Sequence, residues 1–298
     1  PPNRLNLNEK SKELGMPKPN QSIAYQGAPG AYSHLACTAA YGDRQAISCG
    51  TFEDTFQAVR DGRAELAMVP IENSIAGRVA DIHHMLPQSG LFIIGEHFQP
   101  VNHQLLAPKG ATLDGLKVVH SHIQALGQCR GLIQELGLTP QIEVDTAGAA
   151  RDVADAGDPT HCAIASRLAA EILDLQVMRE DIEDEGHNTT RFAVLSQNPN
   201  DPGTNNGPVL TTFVFTVRNV PAALYKALGG FATNGINMVK LESYMVGGSF
   251  NATQFYADID GHPDSRSVQL ALEELAFFTT EVTVLGTYPA DPFRQSHE

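Results

Sequence analysis

Ser22-Ile23-Ala24-Tyr25 is a short strand-forming run. It leads directly into Gln26-Gly27-Ala28-Pro29-Gly30-Ala31-Tyr32-Ser33-His34 and then into a helical stretch through Tyr41. A strand, a glycine-rich turn and a helix N-terminus in succession open an α/β unit. The first N–H groups of such a helix have no intrahelical partner, so the turn is a ready site for an anion. It is not the GxGxxG pattern and it lacks the lysine of a phosphate loop, so a nucleotide is not implied. A tight turn with no ligand is the alternative.

The same alternation continues on either side of that turn. Ala46 to Cys49 reads as a strand, and Phe52 to Arg60 as a helix with Phe52, Phe56 and Val59 on one face. Glu65 to Pro70 reads as a buried strand followed at once by Ile71-Glu72-Asn73-Ser74. Polar groups just past the carboxyl end of a strand are where open α/β sheets place their sites. A helix from Gly77 to Leu86 capped by Ser74 is the plainer use of that turn. Leu91 to Ile94 is a strand. His83 and His84 are adjacent on the preceding helix, about 100° apart, which makes a poor metal pair.

Asn102 to Ala107 is extended and crosses to a second lobe. Lys117 to His120 is a strand, and a helix is expected from Ile123 to Leu136, with Gln124 and Gln128 on one face. Gln141 to Val144 is a strand. Thr146 to Ala156 is a helix with a capping threonine. His161 to Ala165 is a strand, and Ser166 caps a helix to Leu173. The acidic run Glu180 to Glu185 reads as a solvated connection. His187-Asn188-Thr189-Thr190-Arg191 then leads into Phe192-Ala193-Val194-Leu195, a polar loop entering a buried strand. That junction gathers two hydroxyls, an amide, an imidazole and a guanidinium at the mouth of a sheet.

The 298 residues are 42% hydrophobic and 18% charged, enough for two or three folded units. A net charge of −14 argues against nucleic acid and against an anionic membrane surface. Cys37, Cys49, Cys129 and Cys162 are widely spaced without a CxxC pair, which points to buried thiols in a reducing, cytoplasmic setting rather than disulfides or zinc. No run approaches 18 apolar residues, so no membrane span is expected. The segment from Pro1 to Gln21 reads as a mobile arm without a secretory h-region.

The resulting division is an N-terminal arm over 1–21 and an α/β region over 22–197. The α/β region has two lobes, crossed near 98–107 and again near 174–190. A polar linker over 198–208 follows. The pattern then changes to βαββαβ over 209–290, a ferredoxin-like module, and a tail over 291–298. Gly247-Gly248 is its central turn. In Asp258-Ile259-Asp260-Gly261 the glycine comes two positions too early for a calcium loop and no glutamate follows at the right distance, so the run reads as a strand end. Such a sheet often pairs with a copy of itself, which favours a homodimer or homotetramer.

Four separated stretches together resemble one family, the prephenate dehydratases with a C-terminal ACT regulatory domain. They are Gly27 to Ser33 (GAPGAYS), Val69 to Ser74 (VPIENS), Ser121 to Cys129 (SHIQALGQC) and Asn188 to Phe192 (NTTRF). The resemblance covers about residues 22 to 289. It implies a catalytic region built like a two-lobed periplasmic-type binding protein, with its site in the interlobe cleft. It also implies conversion of prephenate to phenylpyruvate, water and CO₂ in phenylalanine synthesis, with no cofactor and no metal.

By position, Thr190 looks like the family's catalytic threonine, with Glu72 and Arg191 beside it in the reaction. Gly30, Tyr32, Ser33, Asn73, Ser74, Ser121, Gln128, Thr189 and Phe192 are the substrate-binding positions it implies. Ile123 stands where a proline is usual, and Ala28 and Ala31 vary the glycine turn. The last module resembles the ACT domain, which binds L-phenylalanine as an inhibitor. Ala222, Ala223 and Leu224 look like its Gly-Ala-Leu segment with alanine for glycine. Asn237 and Leu241-Glu242-Ser243 complete the effector positions, and Tyr244-Met245 departs from the usual Arg-Pro. Two other readings fit the chain: an arogenate dehydratase, and a catalytically silent small-molecule binding protein with an amino-acid sensor.

Overall fold

The computed structural model describes residues 21–245 and 252–296. All of the expected arm but Gln21, and the Gly247-Gly248 turn, lie outside the described residues. The chain divides into two compact units, one formed by residues up to Val79 with Phe98–Phe192, the other by Ala80–His97 with Ala193–Glu298.

The first unit contains two lobes. In one, β1 (Ser22–Gln26) lies between and parallel to β2 (Gln45–Cys49) and β3 (Leu66–Asn73). Ile23, Ala24 and Tyr25 are at most 1% exposed, as expected of a strand covered on both faces. The sheet runs β2-β1-β3-β11-β5, where β5 is Phe92–Pro100 and β11 is Thr189–Ser196, and β4 (Gly77–Arg78) pairs with β3. The chain passes after β5 into β6 (Gln104–Ala107) of the second lobe. There the order is β10-β6-β9-β7-β8, with β7 (Val118–His122), β8 (Thr139–Glu143), β9 (His161–Ala165) and β10 (Gln176–Arg179). β7 is parallel to β8 and β9, while β6 runs antiparallel to both of its neighbours, β9 and β10. This is the two-lobed α/β arrangement expected of a periplasmic-type binding protein.

Local details depart from the sequence reading. The expected helix from Gly77 to Leu86 begins only at Ala80 and ends at Met85, because Gly77 and Arg78 form β4 against Glu72 and Asn73. Ser74 caps no helix; its Oγ donates to the His187 carbonyl at 2.8 Å. The cause is Asn73, whose Oδ1 accepts the N–H groups of Ile75 and Ala76 and turns the chain before a helix can start. The expected helix from Ile123 to Leu136 breaks at Cys129 into Ile123–Gln128 and Arg130–Glu135. Asp184 accepts the N–H groups of Arg130 and Gly131 at 2.9 and 3.0 Å, so the acidic run, exposed at Glu180, Asp181, Asp184 and Glu185 as expected, also caps a helix. The next helix, Thr146–Ala156, is capped by Asp145 and not by Thr146: Asp145 Oδ1 accepts from Gly148 N at 2.7 Å. Ser166 caps Arg167–Leu173 as expected.

In the second unit, β12 (Val209–Val217), β13 (Met238–Met245), β14 (Ala252–Asp260) and β15 (Thr279–Pro289) form an antiparallel sheet in the order β13-β14-β12-β15. Helices Ala223–Thr233 and Arg266–Phe278 complete a ferredoxin-like βαββαβ. They share a core with one face of the sheet, built on Phe213, Phe215, Phe231, Phe255, Val268 and Leu275. Tyr256, on the other face by strand alternation, meets the ring of His83 at 4.8 Å. Ile93 lies so near Gly286 that a Cβ there would come within 2.1 Å of the Ile93 carbonyl oxygen. The tail is anchored too: Arg294 grips Glu96 through Nε and Nη2 at 2.7 and 2.8 Å. Among the described residues, no helix is long and apolar enough to cross a membrane.

Candidate active site

Asn73 closes β3 and starts the site. With Oδ1 held by two backbone N–H groups, its Nδ2 points the other way, 2.7 Å from Asn188 Oδ1 and 3.0 Å from Thr190 Oγ1. The neighbouring strand is fixed alongside by backbone register: Ser74 N donates to the Thr189 carbonyl at 2.9 Å, and Thr189 N to Ser74 Oγ at 2.9 Å. The loop ahead of β11 is therefore locked onto the carboxyl end of β3 in the first lobe.

From Asn188 the polar row crosses to the second lobe. Asn188 Nδ2 lies 2.9 Å from Gln128 Oε1, at the end of helix Ile123–Gln128. Gln128 Oε1 lies 2.8 Å from His103 Nε2. His103 Nδ1 lies 2.8 Å from the Tyr32 hydroxyl, which is also 3.0 Å from the Asn102 carbonyl. Thr190, Asn73, Asn188, Gln128, His103 and Tyr32 thus form one hydrogen-bonded row. Burial holds His103 below the usual imidazole range, opposed in part by its bond to Gln128 and by the Glu183 charge. Burial raises the Tyr32 hydroxyl well above the usual tyrosine value, and Cys129 and Glu183 add to that.

The row borders a cavity of about 470 Å³. Of the sequence-derived positions, Tyr32, Ser33, Asn73, Gln128, Thr190 and Phe192 line it. Gly30, Glu72, Ser74, Ser121, Thr189 and Arg191 are not among the lining residues. Ser121 is fully buried and donates to the Ile164 carbonyl at 2.6 Å, a core bond between strands. Arg191 is 4% exposed and pairs with Glu72 at 3.1 Å. Gly30 supports the wall from behind: its carbonyl accepts from Ser166 Oγ at 2.5 Å, and its φ of 95° needs no side chain. Arg78, His103, His122, Gln124, Asp145 and Asn188 line the cavity without having been singled out as site residues. Among the described lining residues, Arg78 is the only arginine or lysine and Asp145 the only carboxylate. His103 had one readable signal, a polar residue on the same side as Val101 and Leu105 in the extended interlobe crossing.

The effector positions are dispersed over the second unit. Ala222 is exposed with a left-handed φ of 62°, and Ala223 and Leu224 open the helix behind it. Asn237 Nδ2 donates to Asp260 at 2.8 Å. On β13, Leu241 and Ser243 are exposed and Glu242 lies 3.5 Å from Lys240. Tyr244 is buried, with its ring 5.4 Å from that of His84. Among the described residues one group has metal-ligand chemistry, Asp201, His262 and Asp264. Its imidazole is already engaged, by Asp201 at Nε2 (2.7 Å) and by the Asp264 N–H at Nδ1 (3.0 Å).

The prephenate dehydratase family model matches residues 23–200. The chain belongs to that family. Its members are lyases that act by dehydration and decarboxylation, in aromatic amino acid biosynthesis. The bifunctional N-acyl-homoserine lactone acylase/prephenate dehydratase of Komagataeibacter europaeus is 53% identical over 92% of this chain and 97% of its own length. Arogenate dehydratase/prephenate dehydratase 2 of Arabidopsis thaliana, a chloroplastic protein, is 38% identical over 90% of this chain and 73% of its own. The prephenate dehydratase of Arthrobacter aurescens, solved in complex with L-Phe, superposes with a TM-score of 0.82 at 30% identity, covering 90% of each chain. The family match takes in every residue of the polar row.

Proposed function

We propose that this prephenate dehydratase family member converts prephenate to phenylpyruvate, with Thr190 as the group that assists departure of the ring hydroxyl. The observation that carries the reading is the Asn73–Thr190 bond. Because Thr190 Oγ1 accepts from Asn73 Nδ2, its own proton is free to be donated toward the cavity it lines. In the reaction the bond from the ring to its carboxylate breaks and CO₂ leaves. The electron pair moves through the ring and expels the hydroxyl, which takes one proton and departs as water. Aromatisation supplies the driving force. A hydrogen bond to that hydroxyl is worth most in the transition state, where negative charge develops on the oxygen.

The substrate is a dianion, and Arg78 is the guanidinium at its cavity. Arg191, occupied by Glu72, acts as a support for the strand pair and not as the carboxylate clamp. The βαββαβ module over 209–290 serves as the ACT regulatory domain. It binds L-phenylalanine near Ala222 and β13, and the exposed Val239, Leu241 and Met245 of that edge strand support self-association. The four free buried cysteines fit a cytoplasmic enzyme.

The test is phenylpyruvate formation from prephenate, and phenylalanine formation from arogenate, each with and without added phenylalanine. Prephenate turnover lowered by ~10²–10³ in Thr190→Ala supports the assignment; no turnover of prephenate by the wild-type protein refutes it. A second reading rests on the 53% identity to the bifunctional relative: hydrolysis of N-acyl-homoserine lactones. Release of the free acid from such a lactone, measured on the same preparation, decides it.

A further inference from the structure

The orientation of every group in the polar row follows from two backbone N–H groups. Ile75 N and Ala76 N donate to Asn73 at 3.0 and 2.8 Å, so the atom they meet must be the amide oxygen. The opposite end of that amide is then NH₂, and the Thr189 carbonyl 3.3 Å away also demands a donor there. Asn188 must therefore present its oxygen to Asn73 and its NH₂ to Gln128. Gln128 must in turn present its oxygen to Asn188. The same oxygen lies 2.8 Å from His103 Nε2, which must carry the hydrogen. A neutral imidazole with Nε2–H has a lone pair at Nδ1, and the Tyr32 hydroxyl 2.8 Å away donates to it. The Asn102 carbonyl, 3.0 Å from the same hydroxyl, is its alternative acceptor.

From this chain of constraints we propose that His103 is a positioning residue for the reaction proposed above. Its Nε2–H and the Asn188 NH₂ together occupy the Gln128 oxygen and so hold the Gln128 NH₂ out as a donor toward the cavity. The ligand group that meets Gln128 is then an acceptor, a carboxylate or keto oxygen, and not an ammonium. His103 lies between Tyr32 and Gln128, and without its N–H only Asn188 would favour one face of the amide over the other. The proposal rests on the prephenate reading only for its kinetic arm. The Nε2–H of His103 and the amide orientation stand on geometry.

The experiment has two arms on the full chain. In the first, protein labelled with ¹⁵N-histidine is observed by NMR, with His103 assigned from the signal lost in His103→Gln. A protonated Nε2 and a bare Nδ1 at neutral pH are expected, with the Nδ1 signal shifting in Tyr32→Phe. An Nε2 without its hydrogen would overturn the proposal whether or not the protein turns over prephenate. In the second arm, His103→Leu removes the donor and His103→Gln retains an NH₂ at its place. His103→Leu is expected to raise KM about tenfold with little change in kcat, the size of one lost hydrogen bond to a charged ligand. His103→Gln should recover most of that. Equal losses in both variants, with both folded by thermal melt, would reduce His103 to a space-filling residue and overturn the proposal. If the wild-type protein is inactive on prephenate, the reaction assignment fails and the NMR arm alone decides.

Discussion

Thr190 and Asn73 work as a pair, because a hydroxyl that accepts one hydrogen bond has its own hydrogen directed elsewhere. Thr190→Ala should lower kcat by ~10²–10³ at unchanged fold, the usual cost of removing a polarising donor. Thr190→Ser keeps the hydroxyl and should stay within about tenfold of the wild type on the same scale; steady-state kinetics on prephenate checks both. Ala222 illustrates a different residue-level constraint. It is a non-glycine residue at φ 62° ahead of helix Ala223–Thr233, where the resembling ACT segment carries glycine. A left-handed alanine costs about 1–2 kcal/mol, against about 0.4–1 kcal/mol of extra chain entropy that glycine loses on folding. Ala222→Gly should therefore stabilise the protein by roughly 0.5–1 kcal/mol on those scales, read as an upward shift in the urea midpoint. Sequence motifs reached Thr190, Asn73 and Gln128 because each sits in a run of residue types with a shared chemistry. They could not separate Arg78 from Arg191. Which guanidinium faces the cavity depends on a two-residue strand pairing that no periodicity announces.

At the scale of elements, alternation of strand and helix was readable because buried parallel strands are apolar runs of a few residues between amphipathic helices. Boundaries failed where a side chain captured backbone groups from a distant or irregular partner. Asp184 splits the helix at Cys129 from 54 residues away, and Asn73 delays the next helix by turning the chain upon itself. The same long-range logic makes Gly30 a junction between lobes. A Cβ there would stand 2.8 Å from Ala169 Cα, backbone that cannot give way, and φ is 95°. Its carbonyl also holds the Ser166 hydroxyl, which at the same time caps Arg167–Leu173. Gly30→Ala should cost about 2–4 kcal/mol from overpacking and left-handed strain together, seen in denaturant unfolding. The distorted turn should also raise KM for prephenate more than it lowers kcat, since Tyr32 and Ser33 follow directly along the wall. An alanine variant of wild-type stability would mean that the helix can recede from the turn.

For the molecule as a whole, stability carries a pH dependence to which two imidazoles contribute, His103 buried and His34 half-buried. His34 stacks on Tyr25 at 4.9 Å and accepts the Gly30 N–H at Nδ1 (3.1 Å); His103 closes the polar row. Burial holds both below the ordinary value, which is about 6.5 in an unfolded chain. Above about pH 6.5 both are neutral in either state and add no slope. As pH falls below that value the unfolded chain takes up protons that the folded one refuses, so unfolding free energy declines. The decline ends once the lowered folded values are passed and both states are charged. Stability from these groups is thus full above the unfolded pKa and lost as pH falls toward the folded one. Asp158 and Asp201, held low chiefly by backbone N–H groups, lose their contribution only at more acid pH, below the ordinary carboxylate value. His103→Gln removes one of the two imidazoles. Its urea midpoint should lie below that of the wild type at pH 7.5 and approach it steadily as pH falls from about 6.5 toward 5, over the range in which an unfolded imidazole becomes charged. Parallel curves for the two proteins across that range would show that His103 takes up its proton as readily in the folded chain as in the unfolded one.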